Sequence, residues 1–153
     1  HDEALALFGE AIDGYLDAGR DRAAEVVCRQ VIDAYPNVVR ARRTLALIAL
    51  GRGDVEEAAG LLGQYAETAR QHGDDQLIRK SLRTMGLISG PGPVRDRAAH
   101  ELDSLGDPDG AKLVREQAEE HVDAIFSGTG ASWTKALHAA LLGADELRKT
   151  RAG

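Results

Sequence analysis

The chain has few of the residues that would indicate a disulfide scaffold, a sandwich core or a membrane span. Its 153 residues include one cysteine, Cys28, so no disulfide can form within the chain and nothing favours an oxidising compartment. Aromatic residues make up 4%, and the apolar side chains are mostly Ala, Leu and Val, which suits closely packed helices. No apolar run approaches the roughly 18 residues of a transmembrane helix, and no signal peptide is visible. We therefore expect a cytoplasmic protein.

The sequence also lacks an excess of positive charge, since 19 Lys and Arg residues stand against 25 Asp and Glu. The net charge is −6, which argues against non-specific binding of nucleic acid. Apolar residues make up 43% and charged residues 29%, proportions typical of a globular domain with its own core. Because the chain begins at His1 rather than at a methionine, we expect it to be part of a longer protein.

Apolar residues recur at three- and four-residue steps along almost the whole chain, as in amphipathic helices. No stretch alternates apolar and polar residues for long enough to predict a strand. Gly19, Gly53, Gly73 and Gly106 stand where helices should end, because glycine tolerates a left-handed cap. The spacing predicts eight helices, at about 3–18, 21–35, 38–51, 54–72, 75–89, 94–105, 108–126 and 132–150.

Two helix starts carry capping side chains. Asp54 is followed three residues later by Glu57, the spacing of a capping box. Asp107 precedes Pro108, which places a cap before a proline at the first helical position. The loops between helices are short, so successive helices should pack antiparallel.

The helix pairs repeat along the sequence. Gly19 and Gly53 lie 34 residues apart, as do Ala24 and Ala58. The stretch from Arg43 to Ala49 returns 40 residues later, between Arg83 and Ser89. The segment from Pro36 to Ala46, followed by the one from Gly53 to Ala58, resembles the tetratricopeptide repeat family. Further residues that fit the family's pattern are Tyr15 and Ala24 in the first unit, Leu45 and Ala58 in the second, and Gly86 and Ala98 in the third.

The resemblance implies an α-solenoid, and the whole chain, 1–153, is expected to form one such domain. Its helix pairs would span about 3–35, 38–72 and 75–105, followed by a divergent capping pair at 108–150. The sequence departs from the pattern at Arg42 and Leu82, which stand where the family has a bulky aromatic residue.

Motifs for catalysis or cofactor binding are missing from the sequence. None of the five histidines has the His-Glu-x-x-His spacing of a zinc helix. Cys28 falls on an apolar helix stripe, which favours a buried thiol over a nucleophile. Gly128-Thr129-Gly130 lacks the lysine of a phosphate loop, so a linker is the better interpretation. We predict no catalytic residue, no cofactor and no metal ligand, and therefore no enzyme.

The first helix of each pair lines a concave groove in the tetratricopeptide family. By that resemblance the partner-binding groove would contain Asp13, Leu16, Arg40, Arg43, Leu47, Leu50, Lys80, Arg83 and Leu87. The basic residues would form a ladder beside leucines, suited to an acidic protein segment. The alternative is that they are ordinary solubilising residues.

The expected function is that of a scaffold or adaptor that binds a protein or peptide. The alternative is a regulatory or self-associating helical segment of a larger bacterial signalling or transcription protein. The net charge disfavours an RNA-binding repeat protein. The last predicted helix carries an apolar stripe that must be covered. We expect it to cap the last repeat, with the groove or a second chain as alternative positions for Trp133, Leu137, Leu141, Ala144 and Leu147.

Overall fold

The computed structural model describes residues 2–73, 75–89 and 91–116. All regular structure in these ranges is helical, which confirms the all-α prediction, and none of their helices is long and apolar enough to cross a membrane. Six helices are bounded: α1 Asp2–Asp17, α2 Asp21–Ala34, α3 Val39–Gly51, α4 Val55–His72, α5 Asp75–Ile88 and α6 Pro93–Ser104. A seventh, α7, is described over residues 108–116.

The apolar periodicity predicted the bounds of helices α1 to α6 to within one residue at each end. Both predicted caps are confirmed. The Asp54 carboxylate accepts from the backbone N–H of Glu57 at 3.3 Å, and the Asp107 carboxylate accepts from the N–H of Gly110 at 3.1 Å. The predicted helix at 132–150, with its apolar stripe, lies outside the described residues, as do residues 117–126.

Three of the turns between helices share one geometry. Gly19, Gly53 and Gly106 have φ values of +73°, +85° and +76°. In each turn the residue after the glycine donates its N–H to a carbonyl five residues earlier, as from Asp54 to Ala49 at 3.0 Å. This is the Schellman cap, which satisfies carbonyls that the helix end leaves without a partner.

The prediction of a left-handed cap at Gly73 was wrong. Gly73 has φ −103° and ψ 179°, an extended conformation. Its N–H still donates to the carbonyl of Ala69. A Cβ at Gly73 would lie 2.8 Å from that carbonyl oxygen, so the close approach of the backbone accounts for glycine here.

Consecutive helices pack as pairs, α1 on α2, α3 on α4 and α5 on α6, and α4 also packs against α6. Small residues permit this approach, because Ala24, Ala58 and Ala98 are fully buried. One hydrophobic cluster contains residues of α1, α2 and α3. Another contains residues of all five helices from α3 through α7. Helix α3 contributes to both clusters and is therefore the element they share.

Candidate partner-binding surface

A chain of polar contacts links the first helices of successive pairs. Asp13 on α1 contacts Arg40 on α3, Arg43 on α3 contacts Ser81 on α5, and Arg83 on α5 contacts Asp107 before α7. We call this set the polar seam: Asp13, Arg40, Arg43, Ser81, Arg83 and Asp107. The seam brings together four of the predicted groove residues from three different helices.

The α1–α3 link is an ion pair at the surface. Nη2 of Arg40 lies 2.9 Å from Oδ1 and 3.2 Å from Oδ2 of Asp13. The two side chains are 37% and 27% exposed, so water screens part of their attraction. Gly9 lies one turn before Asp13, and a Cβ there would be in ordinary van der Waals contact with Nη1 of Arg40, at 3.6 Å.

The α3–α5 link is buried. Arg43 is 3% exposed, and its Nη1 donates to Oγ of Ser81 at 3.3 Å. Ser81 is itself fully buried. Arg43 is therefore part of the interior, and a charge reversal there would put a carboxylate into an apolar environment.

The α5–α7 link has the most regular geometry of the seam. Nε of Arg83 lies 2.9 Å from Oδ2 of Asp107, and Nη2 lies 2.7 Å from Oδ1, a bidentate arrangement. Gly110 supplies space, since a Cβ there would lie 2.6 Å from Nε of Arg83. Burial raises the pKa of Asp107, but hydrogen bonds from Arg83 and from the Gly110 N–H outweigh it and hold the pKa below its ordinary value.

The predicted groove leucines lie in the interior. Leu16 packs in the cluster of α1 to α3, and Leu47, Leu50 and Leu87 pack in the cluster of α3 to α7. Each of the four is at most 8% exposed. Their burial reflects helix packing, so they offer little apolar area to a partner in this conformation.

Lys80 differs from the other predicted cations because it is exposed and, within the described ranges, forms no ion pair. It stands almost one helical turn before Arg83. Asp107 engages Nε and Nη2 of Arg83, so Nη1 is left without a hydrogen bond to the described residues, and the side chain is 40% exposed. Together these two side chains present positive charge at the α5 section of the surface.

The sequence analysis did not identify Ser81 as the partner of Arg43 or Asp107 as the partner of Arg83. Asp107 was assigned only as a helix cap, although it also holds Arg83, and Ser81 was not singled out. The signal was present for Asp107, because a carboxylate fixed by capping is available to a guanidinium from the preceding pair. No sequence pattern indicated Ser81, since only the tertiary structure places it beside Arg43.

A second group of charges contains no residue of the seam. Arg29 and Arg52 both contact Glu25 and Glu57, with distances between 2.8 and 3.4 Å. The Glu57 carboxylate, predicted to close a capping box, is therefore used by this network. Burial raises the pKa of Glu25, but hydrogen bonds from Arg52 and Arg29 lower it overall.

Residues suited to chemistry are not brought together in the described ranges. No group of three or more His, Cys, Asp or Glu residues there could hold a metal ion. Cys28 is fully buried, and burial raises the pKa of its thiol to about 12, so the nucleophilic thiolate is suppressed. A cavity of about 240 Å³ lies between the α3–α4 turn and the start of α6, lined mainly by apolar atoms of residues such as Leu50, Val55, Pro93 and Val94.

Comparison with known proteins finds no matching family model, no matching curated protein and no matching solved structure.

Proposed function

We propose that this chain is a tetratricopeptide-like helical repeat that acts as a protein-binding scaffold and carries out no catalysis. The repeat assignment is supported by the recurring Schellman turns at Gly19, Gly53 and Gly106 and by the equivalent buried alanines Ala24 and Ala58. We place it in the cytoplasm of a bacterium, on the basis of a single buried thiol and the Ala-, Arg- and Gly-rich composition.

One observation carries the binding proposal: the polar seam runs from α1 to α7 and ends beside exposed positive charge. At the α5 section of the seam, Lys80 and Nη1 of Arg83 are donors that a partner can reach without breaking an ion pair between described residues. A carboxylate of an acidic segment would bind there. Because the groove leucines are buried, the partner's affinity would depend mainly on polar contacts in this region.

The test uses a fluorescent peptide of alternating leucine and glutamate and a lysine-containing analogue. We expect the acidic peptide to bind, with affinity that falls as salt is raised, because exposed charges are screened over about 8 Å at physiological salt. Lys80→Glu should weaken binding about tenfold, equivalent to about 1.4 kcal/mol, mostly through slower association. Fluorescence anisotropy and stopped-flow mixing give the two quantities.

Arg22→Glu is the matched control, because Arg22 is an exposed cation on α2, a helix that contributes no residue to the seam. It changes the net charge equally and should alter affinity about twofold or less, as expected for a distant surface charge. Equal losses in the two variants, or failure of the acidic peptide to bind, would contradict the proposal. Arg43 is unsuitable for such a reversal because its side chain is buried.

A further inference from the structure

The outer face of α1 is apolar, and none of the described residues covers it. Leu7 is 65% exposed, Ala11 and Gly14 are exposed along the same stripe of the helix, and exposed Ala18 continues the stripe directly after it. A Cβ built on Gly14 would meet nothing within 4 Å, so no described residue approaches there. We call this stripe the α1 outer face.

The repeat shows what covers such a face. Thirty-four residues after Leu7, Ala11 and Gly14 come Ala41, Leu45 and Ile48 on α3. These equivalents are 2–4% exposed and pack in one cluster with residues of α1 and α2. Forty residues further along, Ser81, Met85 and Ile88 on α5 are at most 3% exposed.

The same positions are thus buried against a preceding helix pair in two units and bare in the first. The bare face has the shape that admits a helix, because Ala11, Gly14 and Ala18 allow close backbone approach while Leu7 projects as an anchor. Small residues in such a row let a second helix approach closely without a clash. The internal precedent therefore indicates a helix as the occupant.

Charge indicates which helix would fit. Glu3, Glu10 and Asp17 recur every seven residues along one edge of the face, all are exposed, and α1 contains no Lys or Arg. The equivalent positions in the second unit are uncharged. Two copies of α1 placed face to face would bring acidic edges together, which is unfavourable. A partner helix with basic flanks would instead find opposite charge.

We propose that the α1 outer face is a second protein-binding surface, separate from the polar seam, which takes a partner's helix with a seam of small and apolar residues and Lys or Arg on its flanks. The helix packs where a preceding helix pair packs on α3 and α5. This surface does not depend on the donors of Lys80 and Arg83, so it stands or fails independently of the function proposed above.

The experiment uses an α-helical peptide with a seam of alanine and leucine and lysine on both flanks. Its affinity for the full chain is measured by fluorescence anisotropy, with a peptide carrying glutamate in place of lysine for comparison. Ala11→Arg places a long side chain in the middle of the α1 outer face and should weaken binding about tenfold or more, because it prevents close approach. Ala34→Arg is the matched control, since Ala34 is exposed on α2 and belongs neither to the α1 outer face nor to its acidic edge. It adds the same charge and should weaken binding about twofold or less.

Two results would support the proposal together: tighter binding of the lysine peptide than of the glutamate peptide, and selective loss with Ala11→Arg. No saturable binding, or equal losses in Ala11→Arg and Ala34→Arg, would overturn it. Light scattering of the parent chain tests the other occupant. A dimer that dissociates in Ala11→Arg would assign the face to a second copy and reject the partner helix. Circular dichroism of both variants checks that exposed Ala11 and Ala34 tolerate arginine.

Discussion

Helices α1 and α3 hold equivalent places in successive helix pairs, yet they are buried very differently. Nine of the 13 residues of α3 are buried, because helices pack on both of its sides. Among the α1 side chains that the structure describes, only Ile12 and Leu16 are buried, since the described helices cover one side of α1. The comparison shows that the repeated apolar pattern determines which helix positions can be buried. Whether those positions are buried depends on a neighbouring helix pair.

The largest effect should come from truncating equivalent stripes of the two helices. Leu45→Ala removes a side chain that is 4% exposed and should lower the free energy of unfolding by about 2–5 kcal/mol, through lost burial and a residual cavity. Leu7→Ala removes one that is 65% exposed and should change it by about 0.5 kcal/mol or less. Urea unfolding measures both. Similar losses would mean that α1 is covered in solution and would contradict the described exposure.

A smaller effect, with opposite signs in the two regions, is expected when glycine is replaced by alanine. A Cβ at Gly86 would lie 2.6 Å from Cγ1 of Val114 and 3.1 Å from Cβ of Ala98, so Gly86→Ala should destabilise by about 1–3 kcal/mol. Gly14→Ala meets open space and should stabilise by up to about 1 kcal/mol through helix propensity. Thermal unfolding followed by circular dichroism gives both changes. Stabilisation by Gly86→Ala would show that α5 and α7 are further apart than described.

The smallest effect concerns the ion pair of Arg83 with Asp107, which joins α5 to the start of α7 as the Arg40–Asp13 pair joins α3 to α1. Because the folded-state pKa of Asp107 lies below its ordinary value of 3.8, its carboxylate contributes stability above that pH. The contribution is lost as pH falls through the lower folded-state pKa. Asp107→Asn retains a capping side chain and should cost about 1 kcal/mol or less at pH 7, because Arg83 is partly solvated.

The measurement is a series of urea unfolding curves between pH 7 and pH 3. The free energy of unfolding of the parent should fall toward that of Asp107→Asn across the acidic end of this range. Asp109→Asn is the matched control, because Asp109 is an exposed carboxylate on the same helix, and its pH dependence should follow the parent. If the advantage of the parent persists unchanged to pH 3, the pair with Arg83 does not form.

The helix boundaries could be predicted because local rules determine them. Apolar spacing, the capping carboxylates of Asp54 and Asp107, and glycines at three Schellman turns act within one or two turns of the chain. The conformation of Gly73 could not be predicted in this way, because its φ depends on how the chain leaves α4.

The candidate site was predictable only in part, because it depends on contacts between helices. Spacing indicated that Arg40 and Arg43 share a side of α3, but not that Asp13 and Ser81 would engage them. The leucines illustrate the same limit. A periodic pattern shows that Leu47 and Leu50 belong to one stripe, whereas their burial depends on how α4, α5 and α6 surround that stripe.

The buried thiol of Cys28 can report local opening of the hydrophobic cluster that α1, α2 and α3 form. Cys28 has no exposed surface and a pKa of about 12, so a disulfide reagent such as Ellman's can react only while the cluster of α1, α2 and α3 is transiently open. The labelling rate under native conditions, compared with that of the unfolded chain, is then a direct readout of the opening equilibrium. Because the chain contains one cysteine, every labelling event occurs at the same position. The opening of this cluster can therefore be followed without an engineered probe.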